Sequence, residues 1–237
     1  MGRMTIVVDN FAHDETLKRD WGFSAYIEDG ETKLLFDLGN KPEVFEYNLN
    51  HLGIPLSEIQ CLVISHSDYD HVGGLDQFLV ENKKADIFVP QGFDHSLIKK
   101  MEAVGHRVVE THEPTKVCGR FMVTGRVDPS PRPEHSLYFK TDHGYWIVAG
   151  CSHPKVWNIV RVVRVATGEN PYLYIGGYHF FRLFNGELEG VLRLVRESGV
   201  KKVAPCHCTG EEARERLRKI FGEDFIEVGV GSVLEFS

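Results

Sequence analysis

The chain has 237 residues, 42% hydrophobic and 26% charged, the balance of a globular protein rather than a disordered or fibrous one. A formal net charge of −7 argues against a broadly basic nucleic-acid surface, and no apolar run approaches the roughly 18 residues of a membrane span. The odd set of five cysteines (Cys61, Cys118, Cys151, Cys206 and Cys208) reads as free thiols, and residues 1–9 lack the apolar core of a secretory leader. The expectation is a cytoplasmic protein with no membrane or nucleic-acid partner.

Taken in chain order, runs rich in Ile, Val, Leu, Phe and Tyr predict strands over 5–9, 23–28, 33–37, 61–65 and 86–89. Further runs follow at 121–123, 136–140, 145–149, 172–175, 202–204, 225–228 and 232–236. Helical patterns lie between them over 42–52, 74–82, 91–104, 187–198 and 211–221, while 156–166 fits either type. Pro42 near the start of the first helix and Gly53 after its end follow the usual asymmetry of helix termini. Early strands form hairpins, with Asp29-Gly30 as one turn, and later strands alternate with helices. This order suggests an α+β domain over residues 1–237, built as an αββα sandwich of two stacked mixed sheets with helices on both outer faces. The stretch 111–135 carries Pro114, Pro129, Pro131 and Pro133 and reads as an irregular excursion, either bordering a site or merely connecting strands.

The strongest chemical signal is Ser65-His66-Ser67-Asp68-Tyr69-Asp70-His71-Val72-Gly73-Gly74, directly after the apolar run Cys61–Ile64. Imidazole and carboxylate together suit zinc, iron or manganese, and a cluster at a strand end delivers ligands to a sheet edge that substrate can reach. We read it as one half of a binuclear site. His153, His179 and His207 also follow short apolar strands and sit beside small or turn-forming residues, so they are candidates for the rest. His13, His51, His95, His106, His112, His135 and His143 lack this context and read as surface residues. Cys206 and Cys208 alternate with His207, so in an extended segment both thiols would point away from it, and Cys151 reads as a small buried residue. Lys155, Arg161 and Arg182 read first as solvated charges, with phosphate binding as the alternative.

Taken together these motifs resemble the metallo-β-lactamase-fold superfamily of metal-dependent hydrolases. His66, Asp70 and His71 match its first motif, and His153 and His207 match its later ligands. Further markers resemble those of a narrower group that includes the archaeal synthase joining a dihydropterin-methyl unit to ribofuranosylaminobenzene phosphate. They are Gly22-Phe23-Ser24, Leu35-Phe36-Asp37-Leu38-Gly39, Gly150-Cys151-Ser152-His153 with Asn158, Gly176-Gly177-Tyr178-His179 and Pro205-Cys206-His207-Cys208-Thr209-Gly210. The chain departs from the pattern at Asp68, where the superfamily has histidine, and at Pro154-Lys155, where small residues are usual. A carboxylate at 68 is harder than imidazole and strengthens the case for iron or manganese beside zinc.

The resemblance implies two divalent metal ions, one held by His66, Asp68 and His153 and the other by Asp70, His71 and His207. It implies Asp37 as an acceptor that fixes an imidazole tautomer. His179 stands where relatives often place a bridging aspartate; a neutral imidazole cannot bridge, so its expected role is substrate binding or proton transfer. The implied activity is hydrolysis or group transfer on a small phosphorylated or diphosphorylated molecule, with Asp70 and His179 as the catalytic residues. Two other classes stay open: a non-catalytic metal-binding member of the fold, and a di-iron oxidoreductase suggested only by Asp68.

Overall fold

The computed structural model describes residues 1–237 and contains thirteen strands and seven α-helices in two sheets. The first sheet takes most of the N-terminal half. It comprises β1 (Gly2–Val8), β2 (Ser24–Asp29), β3 (Thr32–Phe36), β4 (Cys61–Val63), β5 (Asp86–Pro90) and β6 (Val108–Thr111), closed by the C-terminal β13 (Val233–Phe236). Their order is β13-β1-β2-β3-β4-β5-β6, antiparallel through β3 and parallel from β3 to β6. The second sheet comprises β7 (Thr115–Lys116), β8 (Met122–Val123), β9 (Leu137–Thr141), β10 (Gly144–Ala149), β11 (Leu173–Gly177) and β12 (Lys202–Cys206). Its order is β12-β11-β10-β9-β8-β7, and β10, β11 and β12 run parallel.

Helices α1 (Pro42–Leu52), α2 (Tyr69–Val72), α3 (Leu75–Glu81) and α4 (His95–Ala103) belong to the first half, and α5 (Val156–Thr167), α6 (Asn185–Glu197) and α7 (Glu211–Phe221) to the second. Side-chain alternation along the strands sorts the apolar residues into layers. Leu34 and Phe36 face the space between the sheets, while Leu35 packs outward with Phe45 and Leu49 of α1. Trp146 and Val148 likewise point inward, and Ile147 and Ala149 pack outward with Val160 of α5, Leu192 of α6 and Leu217 of α7. A central core of 22 buried residues thus joins the sheets, with a helix-covered core outside each. This is the expected αββα sandwich.

Several expectations are corrected. Residues 225–228 form no strand; beyond the single bridge of Phe225 to Val203 the segment leaves the sheet. The short β6 and β7, unassigned from sequence, complete the far edges of the two sheets. Val156–Thr167 is helical despite its β-branched residues, because Val156, Ile159, Val160 and Val163 recur at helical spacing and bury one face. His106 and His135 are buried rather than exposed: His106 bonds the carbonyls of Ala85 and Asn82, and His135 Nδ1 lies 2.8 Å from Thr111 Oγ1.

Candidate metal centre

The C-terminal ends of β4, β10, β11 and β12 lead directly into the segments that carry His66–His71, His153, His179 and His207. The turn after β3 grips the first of these segments. Leu38 N–H donates to His71 C=O at 2.9 Å, Gly73 N–H to Gly39 C=O at 2.8 Å and Gly74 N–H to Leu38 C=O at 3.0 Å. Glycine is required at 73, since a Cβ there would stand 1.7 Å from the Asn40 carbonyl oxygen. Gly150 does the same for the second sheet. A Cβ on it would stand 2.1 Å from Ser65 Oγ, so its absence lets the end of β10 close against the residue that precedes His66.

Four of these imidazoles, His66, His71, His153 and His207, are oriented through Nδ1. His71 Nδ1 lies 2.7 Å from Asp37 Oδ2, and Asp37 also accepts from Ser65 N–H at 2.6 Å and Ser65 Oγ at 2.7 Å. Ser65 Oγ in turn lies 2.9 Å from His66 Nδ1. His153 Nδ1 is 2.8 Å from Glu134 Oε2, and His207 Nδ1 is 3.1 Å from Asn10 Oδ1. An acceptor on Nδ1 holds the proton there and leaves the Nε2 lone pair free for a metal. His66 Nε2 is buried with no hydrogen-bond partner.

The free donors converge. One donor atom from each of Asp70, His71, Cys151 and His207 lies within 4.8 Å of every other, and the same holds for His66, Cys151 and His153. A third such group joins Cys151, His179 and Cys208. Buried imidazoles grouped with a carboxylate and a thiol fit a divalent metal such as zinc or iron. Asp70 is fixed from outside by Trp21, whose Nε1–H donates to Oδ2 at 2.9 Å, and the same oxygen lies 3.5 Å from His207 Nε2. Asp68 stands apart from these groups: Oδ2 is 3.6 Å from His66 Nε2, while Oδ1 is paired with the Arg132 guanidinium. His179 lies beside the centre, its ring 4.5 Å from that of His153, and its Nδ1 is buried without a partner.

Electrostatics follow the geometry. Burial, then the neighbouring His71 and His66, hold His207 well below the ordinary histidine value. Burial and the nearby His153 bring His179 down to about 4. Burial pushes Glu134 up, but the hydrogen bond from His153 and the charges of His66 and His153 outweigh it and bring the carboxyl down to about 2. Burial also opposes the charge on His71, yet Asp37 prevails and its pKa rises. The backbone is strained here too. Asp37 (φ 57°), Ser152 (φ 58°), His179 (φ 56°) and His207 (φ 47°) all adopt left-handed conformations, which non-glycine residues hold only where their surroundings impose them.

Four contributors escaped the sequence reading. Glu134 accepts from the backbone N–H groups of Cys151, Ser152 and His153 as well as from the His153 ring. It comes from the proline-rich stretch, whose only hint was that such excursions border sites. Asn10 and Trp21 sit on loops without a motif, although both flank segments that do carry one. Cys151 was assigned to packing, yet its Sγ is 3.3 Å from His71 Nε2 and 3.4 Å from His207 Nε2. The orientation of Cys208 is also corrected. Strand β12 ends at Cys206 and His207–Thr209 form a 3₁₀ turn, so alternation lapses and Cys208 Sγ comes 3.4 Å from Cys151 Sγ. Asn158 bonds the Pro154 carbonyl at 2.8 Å and fixes the turn after His153.

An open cleft of about 360 Å³ leads to the centre, lined by Trp21, Asp68, Tyr69, Asp70, Cys151, His179, Phe181, Arg182 and Cys208. Arg161 lies elsewhere, in a shallow groove with Pro114, Val162, Val165 and Ala166.

Comparison with known proteins agrees with this architecture. The family model of the anti-Pycsar protein Apyc1 matches residues 14–117. The 7,8-dihydropterin-6-methyl-4-(β-D-ribofuranosyl)-aminobenzene-5'-phosphate synthase of Methanocaldococcus jannaschii is 26% identical over 248 residues, covering 86% of this chain and 84% of the synthase. Among solved structures, Tm1679, a metal-dependent hydrolase of the β-lactamase superfamily, superposes with a TM-score of 0.82 at 23% identity, covering 99% of each chain. The metallo-β-lactamase fold protein YhfI of Bacillus subtilis superposes with a TM-score of 0.73 at 15% identity, covering 99% of this chain and 100% of YhfI. With two mixed sheets, helices on both outer faces and histidines at the strand ends, this chain has the metallo-β-lactamase fold.

Proposed function

We propose that residues 1–237 act as one domain, a metal-dependent hydrolase or transferase with a binuclear centre that acts on a small phosphorylated or diphosphorylated molecule. One metal position is assigned to His66, Asp68 and His153, and the other to Asp70, His71 and His207. The observation that carries this reading is that His66, His71, His153 and His207 each have Nδ1 held by an oxygen, leaving their other nitrogens free at a shared centre beside Asp70. A chain that merely packed histidines would have no reason to orient every one of them in this way.

Two divalent ions, zinc first and iron or manganese next, would supply Lewis-acid polarisation of a phosphoryl or carbonyl oxygen and lower the pKa of water. The chain's own residues do the rest. Asp70, steadied by Trp21, accepts a hydrogen bond from the attacking group and orients it. His179, neutral near pH 7 because burial and its neighbours depress its pKa, hydrogen-bonds a substrate oxygen and passes a proton. Arg182 in the cleft and Arg132 at its rim offset phosphate charge, and Trp21, Tyr69 and Phe181 offer aromatic faces to a planar ring. The M. jannaschii synthase, whose product is a pterin-linked 5'-phosphate, supports a substrate of that chemistry, as a hydrolase or as a transferase that displaces diphosphate.

The test is metal content by elemental mass spectrometry on protein purified without chelator, followed by turnover on phosphoesters and pterin diphosphates. About two metals per chain are expected, with Asp70→Ala losing turnover by orders of magnitude. A chain that takes up no zinc, manganese or iron would not fit the proposal. A metal-loaded chain with no turnover for Asp70→Ala to remove would instead be a binding protein.

A further inference from the structure

We propose that Cys151 is itself a metal ligand, its sulfur shared between the two metal positions where the chain offers no bridging carboxylate. This rests on the binuclear centre proposed above.

Cys151 is the one side chain common to all three groups of convergent donors, so it is shared by the group of His71 and His207 and the group of His66 and His153. Its Sγ lies 3.3 Å from His71 Nε2 and 3.4 Å from His207 Nε2, nitrogens whose ring partners are already committed to Asp37 and Asn10. The unpartnered His66 Nε2 belongs to the same cluster. A cysteine placed only for packing would be surrounded by carbon; this one faces imidazole nitrogens.

The surroundings are organised for that position. Glu134 accepts from the backbone N–H of Cys151 at 3.0 Å and of His153 at 2.8 Å, so thiol and imidazole are held by the same buried carboxylate. Cys208 donates its S–H toward Cys151 Sγ at 3.4 Å, a contact that would stabilise negative charge on the acceptor sulfur. Charge balance points the same way. Asp68 shares its charge with Arg132, which leaves Asp70 as the only unshared carboxylate aimed at two dications. A dication bound by this sulfur would take it as the thiolate. The balance is simple: the S–H bond breaks, a sulfur–metal bond forms, the proton goes to solvent, and no oxidant is needed.

Cobalt(II) reconstitution of the whole chain tests this independently of activity. Wild type should take up cobalt and show a near-ultraviolet sulfur-to-cobalt charge-transfer band. Cys151→Ala and Cys151→Ser should lose the band, release one proton fewer per chain on loading, and bind cobalt about tenfold or more weakly. Cys208→Ala should keep the band. Circular dichroism of the metal-free variants checks folding, and the serine variant, being nearly isosteric, carries the comparison if the alanine variant is poorly folded. Bound cobalt with no such band in wild type, or a band that survives both Cys151 substitutions, overturns the assignment and leaves the binuclear centre intact. Failure of wild type to bind cobalt, zinc, manganese or iron overturns both.

Discussion

At the scale of single residues, Glu134 shows how much of this centre is held from behind. Its two oxygens accept three backbone N–H groups and one imidazole, all from Cys151–His153, and it is fully buried. Its folded pKa of about 2 lies below the ordinary 4.5. The folded state therefore takes up this proton only in stronger acid than the unfolded chain does. The stabilisation is complete above about pH 4.5 and disappears as the pH falls toward 2, a contribution on the order of 3 kcal/mol. Metal-free wild type should accordingly lose stability through that window in urea titrations, and Glu134→Gln should show a flatter profile with lower stability at neutral pH. Glu134→Gln should also weaken metal binding by about 10–100-fold, measured by competition with a chromophoric chelator. Asp37 was legible in the sequence because it sits in a strand-turn motif. Glu134 was not, because 17 residues separate it from Cys151 and only the fold brings them together.

At the scale of elements, the strand ends place the donors and the close approaches between them are unforgiving. Gly150 ends β10 against Ser65 and Asp37, with space for no Cβ. Gly150→Ala should push β10 away from the segment after β4, costing roughly 1–3 kcal/mol from overpacking. Thermal unfolding of the metal-free protein should shift down by several degrees, and metal uptake should fall, because His153 and Cys151 move with the strand end. An unchanged melting temperature would mean that the ends of β4 and β10 are less closely apposed than the geometry here. Most strands and helices were readable from apolar periodicity. Residues 225–228 were misassigned because an apolar run satisfies a strand pattern whether or not a partner edge is free. Cys208 was misplaced because the 3₁₀ turn at His207–Thr209 breaks the period on which the inference stood.

At the scale of the whole molecule, the candidate ligands come from both sheets. His66, Asp70 and His71 follow β4 of the first sheet, while His153 and His207 follow β10 and β12 of the second. Metal bound between them would tie the edges of the sandwich together beyond what the central core of 22 residues already does. Metal at about a hundredfold excess over its Kd should stabilise the fold by about 3 kcal/mol. Removing it with chelator should lower the melting temperature by roughly 5–10 °C in a chain of this length, and re-addition should restore it. A melting temperature indifferent to chelator, in protein shown to carry metal, would mean that the ions do not bridge the sheets.

What the sequence determined by itself is local or periodic. Apolar runs gave most of the strands, the helical spacing gave most helices, and short-range motifs marked His66, Asp68, Asp70, His71, His153 and His207. The tertiary structure decided which of these donors meet and what holds them. Cys151 stands at the shared centre, Asp68 is drawn toward Arg132, and Glu134, Asn10 and Trp21 brace the candidate ligands from distant loops. The reason is physical: a ligand's identity is a property of one residue, but its orientation and charge depend on neighbours that are brought close only when the two sheets stack.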